Sequence, residues 1–197
     1  MWNLRFGRLM TCGLFAAAIV VCGFSLQRVS RAAEAAEFPA DYFFNAADDP
    51  TQVELNKLVG KPMPALAVSD WTNGEVKPAD MKGKVVIIDL WATWCGPCVR
   101  AIPHNNEMVS KYKEKGLIVV GVCTSSDGQE KLGDAITKYK IAYPVCKDPD
   151  LKTEKAYHIA FYPTYAAVDR KGIVRAIGLV PDKVEEVAKK LLEEKGE

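Results

Sequence analysis

Residues Trp91 to Cys98 read WATWCGPC and hold two cysteines three positions apart, directly after the apolar run VVIIDL (Val85–Leu90) and directly before an amphipathic stretch. An apolar strand that ends in Cys95-Gly96-Pro97-Cys98 and continues as a helix places the first thiol at a helix N-terminus, where unpaired backbone N–H groups stabilise a thiolate. Cys95 is therefore the expected nucleophile and the expected exposed sulfur. Cys98, one turn inside, is placed to close a disulfide with it. Gly96 permits a close turn, and Pro97 suits the first helical turn because its missing N–H would have no partner there. The alternative for such a pair is an inert staple or half of a zinc site, but a staple rarely bridges residues three apart at a helix start.

Working outward, the chain alternates between strand and helix patterns. After VVIIDL comes a helix from about Cys95 to Lys115, then the apolar run LIVVGVC (Leu117–Cys123). Short, continuously apolar runs joined by helices indicate parallel strands with both faces covered. A second crossover helix is expected from about Gly128 to Lys140, a short strand around Ala142–Cys146, and a short helix from Asp148-Pro149-Asp150 through Tyr157. Thr164–Asp169 and Ile173–Gly178 flank the turn Asp169-Arg170-Lys171-Gly172, and Asp182–Glu194 closes the chain as an amphipathic helix. Upstream, Pro64–Trp71 alternates and Asn73-Gly74 is a hairpin turn signal, so a strand pair is expected before the central strand. Thr51 followed by Glu54 reads as a helix N-cap ahead of a short apolar face.

Composition suits one globular domain with an appendage: 197 residues, 49% hydrophobic and 26% charged. Net charge is +1, and without residues 1–35, which hold four arginines and one glutamate, 22 basic residues face 24 acidic ones. Charge therefore argues against a nucleic-acid partner. Residues 1–36 read as a signal peptide or N-terminal membrane anchor, with Arg5 and Arg8 before a largely apolar run from Leu9 to Leu26 and small residues at Ala32, Ala33, Ala35 and Ala36. The 18-residue run exceeds the roughly 7–15 of a signal core and approaches the roughly 20 of a membrane span, so cleavage and retention as a tether both stay open. Either way the remainder is expected outside the cytoplasm. Residues 37–57 read as a linker able to pack locally, with a short helix, and 58–197 as the folded domain. Cys12 and Cys22 sit in the leader. Cys123 and Cys146, each near the end of a predicted strand, could form a second disulfide or stay as buried thiols.

The segment WATWCGPC resembles the active site of thioredoxins, and residues 58–192 resemble their extracytoplasmic relatives, the TlpA-like redoxins. The resemblance also rests on LVGKPMPAL (Leu58–Leu66), Gly83-Lys84 before the apolar strand, Pro103 within the helix, and FYPT (Phe161–Thr164). It implies a thioredoxin-like α/β sandwich: a central mixed β-sheet flanked by helices, with an N-terminal β-hairpin extension and an extra strand–helix insertion after the active-site helix. It also implies a thiol–disulfide oxidoreductase that uses Cys95 and Cys98 on protein disulfides, without a cofactor or metal, as a monomer. Its electron donor would lie in the membrane or periplasm. The Gly-Pro dipeptide is that of thioredoxins and implies a reducing bias, near roughly −270 mV rather than the roughly −120 mV of the strong oxidant DsbA. Apocytochrome c enters as a candidate substrate through the family alone.

Further site residues follow. Asp89, six positions before Cys95 in an otherwise apolar strand, should have its pKa raised by burial and exchange a proton with Cys98. Thioredoxins carry a buried aspartate at the matching position. Pro163 matches their cis-proline loop, which makes Tyr162 a candidate recognition residue. Trp94, Gly96 and Pro97 complete the expected substrate-binding rim, with Trp91 beside Trp94. Ala101 departs from the glutamate common in TlpA-like proteins.

Two other functions share this fold. A peroxiredoxin-like peroxide reductase would be expected to place its cysteine in a TxxC setting, where this chain has Trp94-Cys95. A non-enzymatic copper-delivery protein would use the two cysteines with a distant histidine such as His158, since thiolates are soft enough for Cu(I). The Gly-Pro spacer and Asp89 favour redox exchange. Val99 after Cys98 excludes c-type haem attachment at this motif.

Overall fold

All seven residues of VVIIDLW are buried, and they form strand β2 (Val85–Trp91). A strand covered on both faces belongs in the middle of a sheet. The computed structural model describes residues 38–194. There, six strands make one mixed sheet in the order β1-β4-β3-β2-β5-β6, with β1 at Ser69–Thr72, β3 at Leu117–Cys123, β4 at Val145–Lys147, β5 at Thr164–Val168 and β6 at Val174–Leu179. β2, β3 and β4 run parallel. β1 pairs antiparallel with β4, and β5 antiparallel with both β2 and β6. The helices are α1 (Pro50–Asn56), α2 (Gly96–Tyr112), α3 (Leu132–Tyr139), α4 (Lys152–Ala156) and α5 (Pro181–Glu193). This is the thioredoxin-like sandwich expected from the sequence. The leader reading for residues 1–36 lies outside the described residues, among which no helix is long and apolar enough to cross a membrane.

Side chains alternate along β2, so its two faces feed two cores. Val85, Ile87 and Trp91 pack with Ile102 and Met108 of α2 and with Val184, Val187, Ala188 and Leu191 of α5. The α5 set recurs at the spacing of one helical stripe. On the other face, Val86, Ile88 and Leu90 pack with Leu55 and Leu58 at α1 and Tyr157 after α4.

Two local readings change, and a third gains detail. The strand pair expected across Asn73-Gly74 is a single strand: β1 pairs with β4, and the chain after Gly74 turns away. Asn73 and Gly74 do take the positive φ such a turn needs, but the Asn73 amide donates to the carbonyls of Ile141 (2.7 Å) and Tyr143 (3.2 Å), tying the turn to the segment before β4. Pro78, with no N–H to give, suits no ladder there. The cap of α1 is Asp49, whose carboxylate accepts from the N–H groups of Thr51 and Gln52, with Pro50 at the first helical position. Finally, the stretch read as a linker lies against β6. Phe38 is buried, Phe43 bridges Leu179, Phe44 N–H donates to Gly178 and Val180 N–H to Tyr42. Gly178 has φ +87°, and a Cβ there would fall 2.7 Å from Gln52 Oε1, so only glycine lets α1 approach this closely.

Candidate active site

Cys95 occupies the N-cap of α2 in an extended conformation, and the backbone N–H of Cys98 donates to its Sγ at 3.2 Å. The two sulfurs are bonded, with Cα atoms 5.3 Å apart. An N–H aimed at this sulfur, together with the helix N-terminus, stabilises negative charge there once the bond is reduced. Gly96 and Pro97 form the exposed first turn. Cys95 is not the exposed sulfur expected: it retains 4% of its surface against 1% for Cys98, because the bonded pair belongs to the core cluster that holds Trp91 and against which Tyr162 packs. A partner must therefore reach Cys95 along a narrow edge.

Trp94 borders that edge and is 60% exposed, while Trp91 is core. The indole Nε1 of Trp94 donates to Ser125 Oγ and to the Asp127 carbonyl, each at 3.0 Å, which fixes an apolar ring in water. Its ring meets Tyr162 edge-on at 5.8 Å. The Tyr162–Pro163 peptide bond is cis. Thr164, next in the chain, pairs with Leu90, so the loop ends beside the strand end that leads into the CGPC turn. The Tyr162 hydroxyl donates to Glu154 at α4 and accepts from Thr124 at 3.1 Å. Glu154 and Thr124 were not legible as site residues, since nothing local marks them.

Asp89 is buried in β2 on the face that carries Ile87 and Trp91. Burial pushes its carboxyl up to about 7, while Tyr143, Tyr165 and Asn105 pull against that. Asn105 Nδ2 donates to Asp89 Oδ2 and to the Tyr165 hydroxyl, both at 3.0 Å, and Tyr143 Oη donates to Asp89 Oδ2 at 3.4 Å. Sequence reading missed all three neighbours. Asn105 alone left a trace: it lies seven residues after Cys98, on the buried stripe of α2.

The remaining candidates are not brought to the site. Cys123 and Cys146 are free, buried thiols, and the second disulfide does not form. Val122 pairs with Cys146, so Cys123 is one residue out of register and points to the opposite face. Accordingly, Cys123 belongs to the core of α2 and α5, and Cys146 to the core of α1. His158 is exposed beyond α4 and acts electrostatically on Glu54. Among the described residues no group of three or more histidine, cysteine or acidic side chains converges to hold a metal.

Residues 58–192 match the redoxin family. Over 116 residues the chain is 31% identical to the thiol-disulfide oxidoreductase ResA of Bacillus cereus, an alignment that spans 59% of this chain and 66%, just under two thirds, of that relative. Over 141 residues it is 35% identical to the protein DipZ of Mycobacterium bovis, covering 68% of this chain and 20% of that much longer one. Among solved structures, a thiol-disulfide isomerase from Corynebacterium glutamicum superposes with a TM-score of 0.60 at 27% identity, over 68% of this chain and 97% of that one. A CGPC turn capping α2, a cis-proline loop beside it, a mixed sheet beneath both, and a family match across two thirds of its length together place this chain in the redoxin family.

Proposed function

We propose that this protein is a thiol–disulfide oxidoreductase that reduces protein disulfides through Cys95 and Cys98. The observation that carries this reading is the Cys95–Cys98 disulfide at the N-cap of α2, with the Cys98 N–H on Cys95 Sγ. In the dithiol state, the Cys95 thiolate attacks one sulfur of a substrate disulfide, and the other substrate sulfur leaves and takes a proton. Cys98 then gives its proton to Asp89 and attacks Cys95 Sγ. The second substrate sulfur departs as a thiol, and two electrons have passed from the protein, which ends as the Cys95–Cys98 disulfide. A dithiol donor restores it. Trp94, Gly96, Pro97 and Tyr162 form the rim over which an extended substrate segment lies, with Pro163 holding the loop.

The leader reading of residues 1–36 supports an extracytoplasmic site of action, with a donor in the membrane or periplasm, and the protein acts as a monomer. Apocytochrome c is the substrate that the family suggests. Trapping tests both ends of this reading. Cys98→Ser should stall at the Cys95–substrate disulfide, so partners recovered under non-reducing conditions and released by a reductant identify the substrate. Recovery of nothing beyond what Cys95→Ser/Cys98→Ser recovers would refute the protein-substrate reading. Tyr162→Thr should change kcat/KM for a protein disulfide by about tenfold while leaving a small aromatic disulfide within about twofold, the size of one lost packing contact at a recognition site. Equal effects on the two would contradict recognition by Tyr162.

A further inference from the structure

Asp89 sits between two unlike neighbours in the sheet: Tyr165 pairs with it across β5, and Gly121 across β3. Glycine at the second position is required. A Cβ on Gly121 would lie 2.8 Å from Val145 Cγ1, 3.0 Å from the Tyr143 ring and 3.3 Å from Trp91 Nε1. The ring of Tyr143, from the segment before β4, thus occupies the space a side chain at 121 would take. That crossing carries its hydroxyl to Asp89, 54 residues away in sequence. Asn105 completes the cage from α2. Its bonds all fall on one carboxylate oxygen: Oδ2 accepts from Asn105 and Tyr143, whereas Oδ1, equally buried, accepts from no described residue.

We propose that Tyr143, admitted over Gly121, and Asn105 pin Oδ2 of Asp89 and leave Oδ1 as the oxygen that carries the proton, making Tyr143 a positioning residue that sets the pH range in which Cys98 is activated. This deepens the reading of Asp89 as the proton acceptor for Cys98 and rests on it. The groups that approach the carboxyl are Tyr165 from β5, Asn105 from α2 and Tyr143 from the segment before β4; β3 offers Gly121, with the Cys123 thiol two positions on along the same face, and α5 offers Val184, Val187, Ala188 and Leu191. Cys98 lies two turns before Asn105 on the same buried face of α2. Among the described residues no lysine, arginine or histidine acts on the carboxyl, which leaves hydrogen bonds from neutral donors as the means of tuning it. Each donor to the carboxylate favours the ionised form. Losing the Tyr143 hydroxyl therefore moves the midpoint upward.

Tyr143→Phe keeps the ring over Gly121 and removes only the hydroxyl. The Asp89 carboxyl, followed by carbon NMR in the oxidised protein, and the midpoint of the pH–rate profile for reduction of a small disulfide should both rise by about half a unit, the equivalent of one neutral hydrogen bond. Tyr165→Phe removes a hydroxyl that accepts from Asn105 and that also favours the ionised carboxyl, so it should move both midpoints in the same direction, by less. A Tyr143→Phe protein that loses stability while both midpoints stay in place would overturn the proposal, as would an NMR shift without a kinetic one. Asp89→Asn separates the two levels. If that variant keeps the wild-type pH profile, the reading of Asp89 as proton acceptor fails. If its profile changes and that of Tyr143→Phe does not, only the role of Tyr143 fails.

Discussion

Replacing Cys95 with serine should reduce disulfide exchange by about three orders of magnitude or more, the usual cost of deleting a nucleophile whose whole reaction runs through it. The cap position explains why no other sulfur substitutes. Cys98 is 1% exposed and its N–H is spent on stabilising Cys95 Sγ, so it meets no incoming disulfide. Cys123 and Cys146 have thiols that burial pushes up, the first to about 12, so neither ionises at neutral pH. Stopped-flow reduction of a small disulfide, with thiols counted after each run, measures the loss directly. Residual turnover within tenfold of the wild type would mean that Cys95 is not the attacking group.

The second large effect concerns stability rather than rate. Asp89 titrates near 3.8 when unfolded and at about 7 when folded, because burial disfavours its charge. The folded state therefore holds a proton that the unfolded chain has released between those two values, and stability falls as pH rises through that window. Below about 4 the penalty is absent, and above about 7 it is constant. Its full size is about 4 kcal/mol as an upper bound, from a shift of about three units at 1.36 kcal/mol each. Asp89→Asn carries no such charge. Its advantage over the wild type should grow from pH 4 to pH 7 and then level off, in urea unfolding of the oxidised proteins. Parallel stability–pH curves for the two would show that Asp89 ionises freely in the fold. Together with the proposed proton transfer, this is a case in which a reactive site is kept at a cost in stability.

Much of this was legible locally. VVIIDL announces a strand buried on both faces, and the step from it through CGPC into an amphipathic helix places the thiols without any knowledge of the rest of the chain. FYPT gave the cis-proline loop only through resemblance, since no local pattern distinguishes it from an ordinary turn. What escaped depends on register and on distant packing. Tyr143 and Tyr165 reach Asp89 through strand order and through the missing side chain of Gly121. The fate of Cys123 and Cys146 turned on a one-residue offset between parallel strands, which no spacing along the chain encodes. The hairpin at Asn73-Gly74 shows the converse. Its turn residues adopt the dihedrals that local preference demands, yet tertiary hydrogen bonds decide which strand β1 joins.

That one-residue offset reaches beyond the two sulfurs. The four cysteines among the described residues could combine in three full pairings. Once the sheet is complete, it stands as a wall between Cys146 and the other three, and isomers that use Cys146 require the strands to come apart. In the folded molecule, exchange among thiols is thus confined to the three on one side of the sheet, and Cys146 is kept out of it.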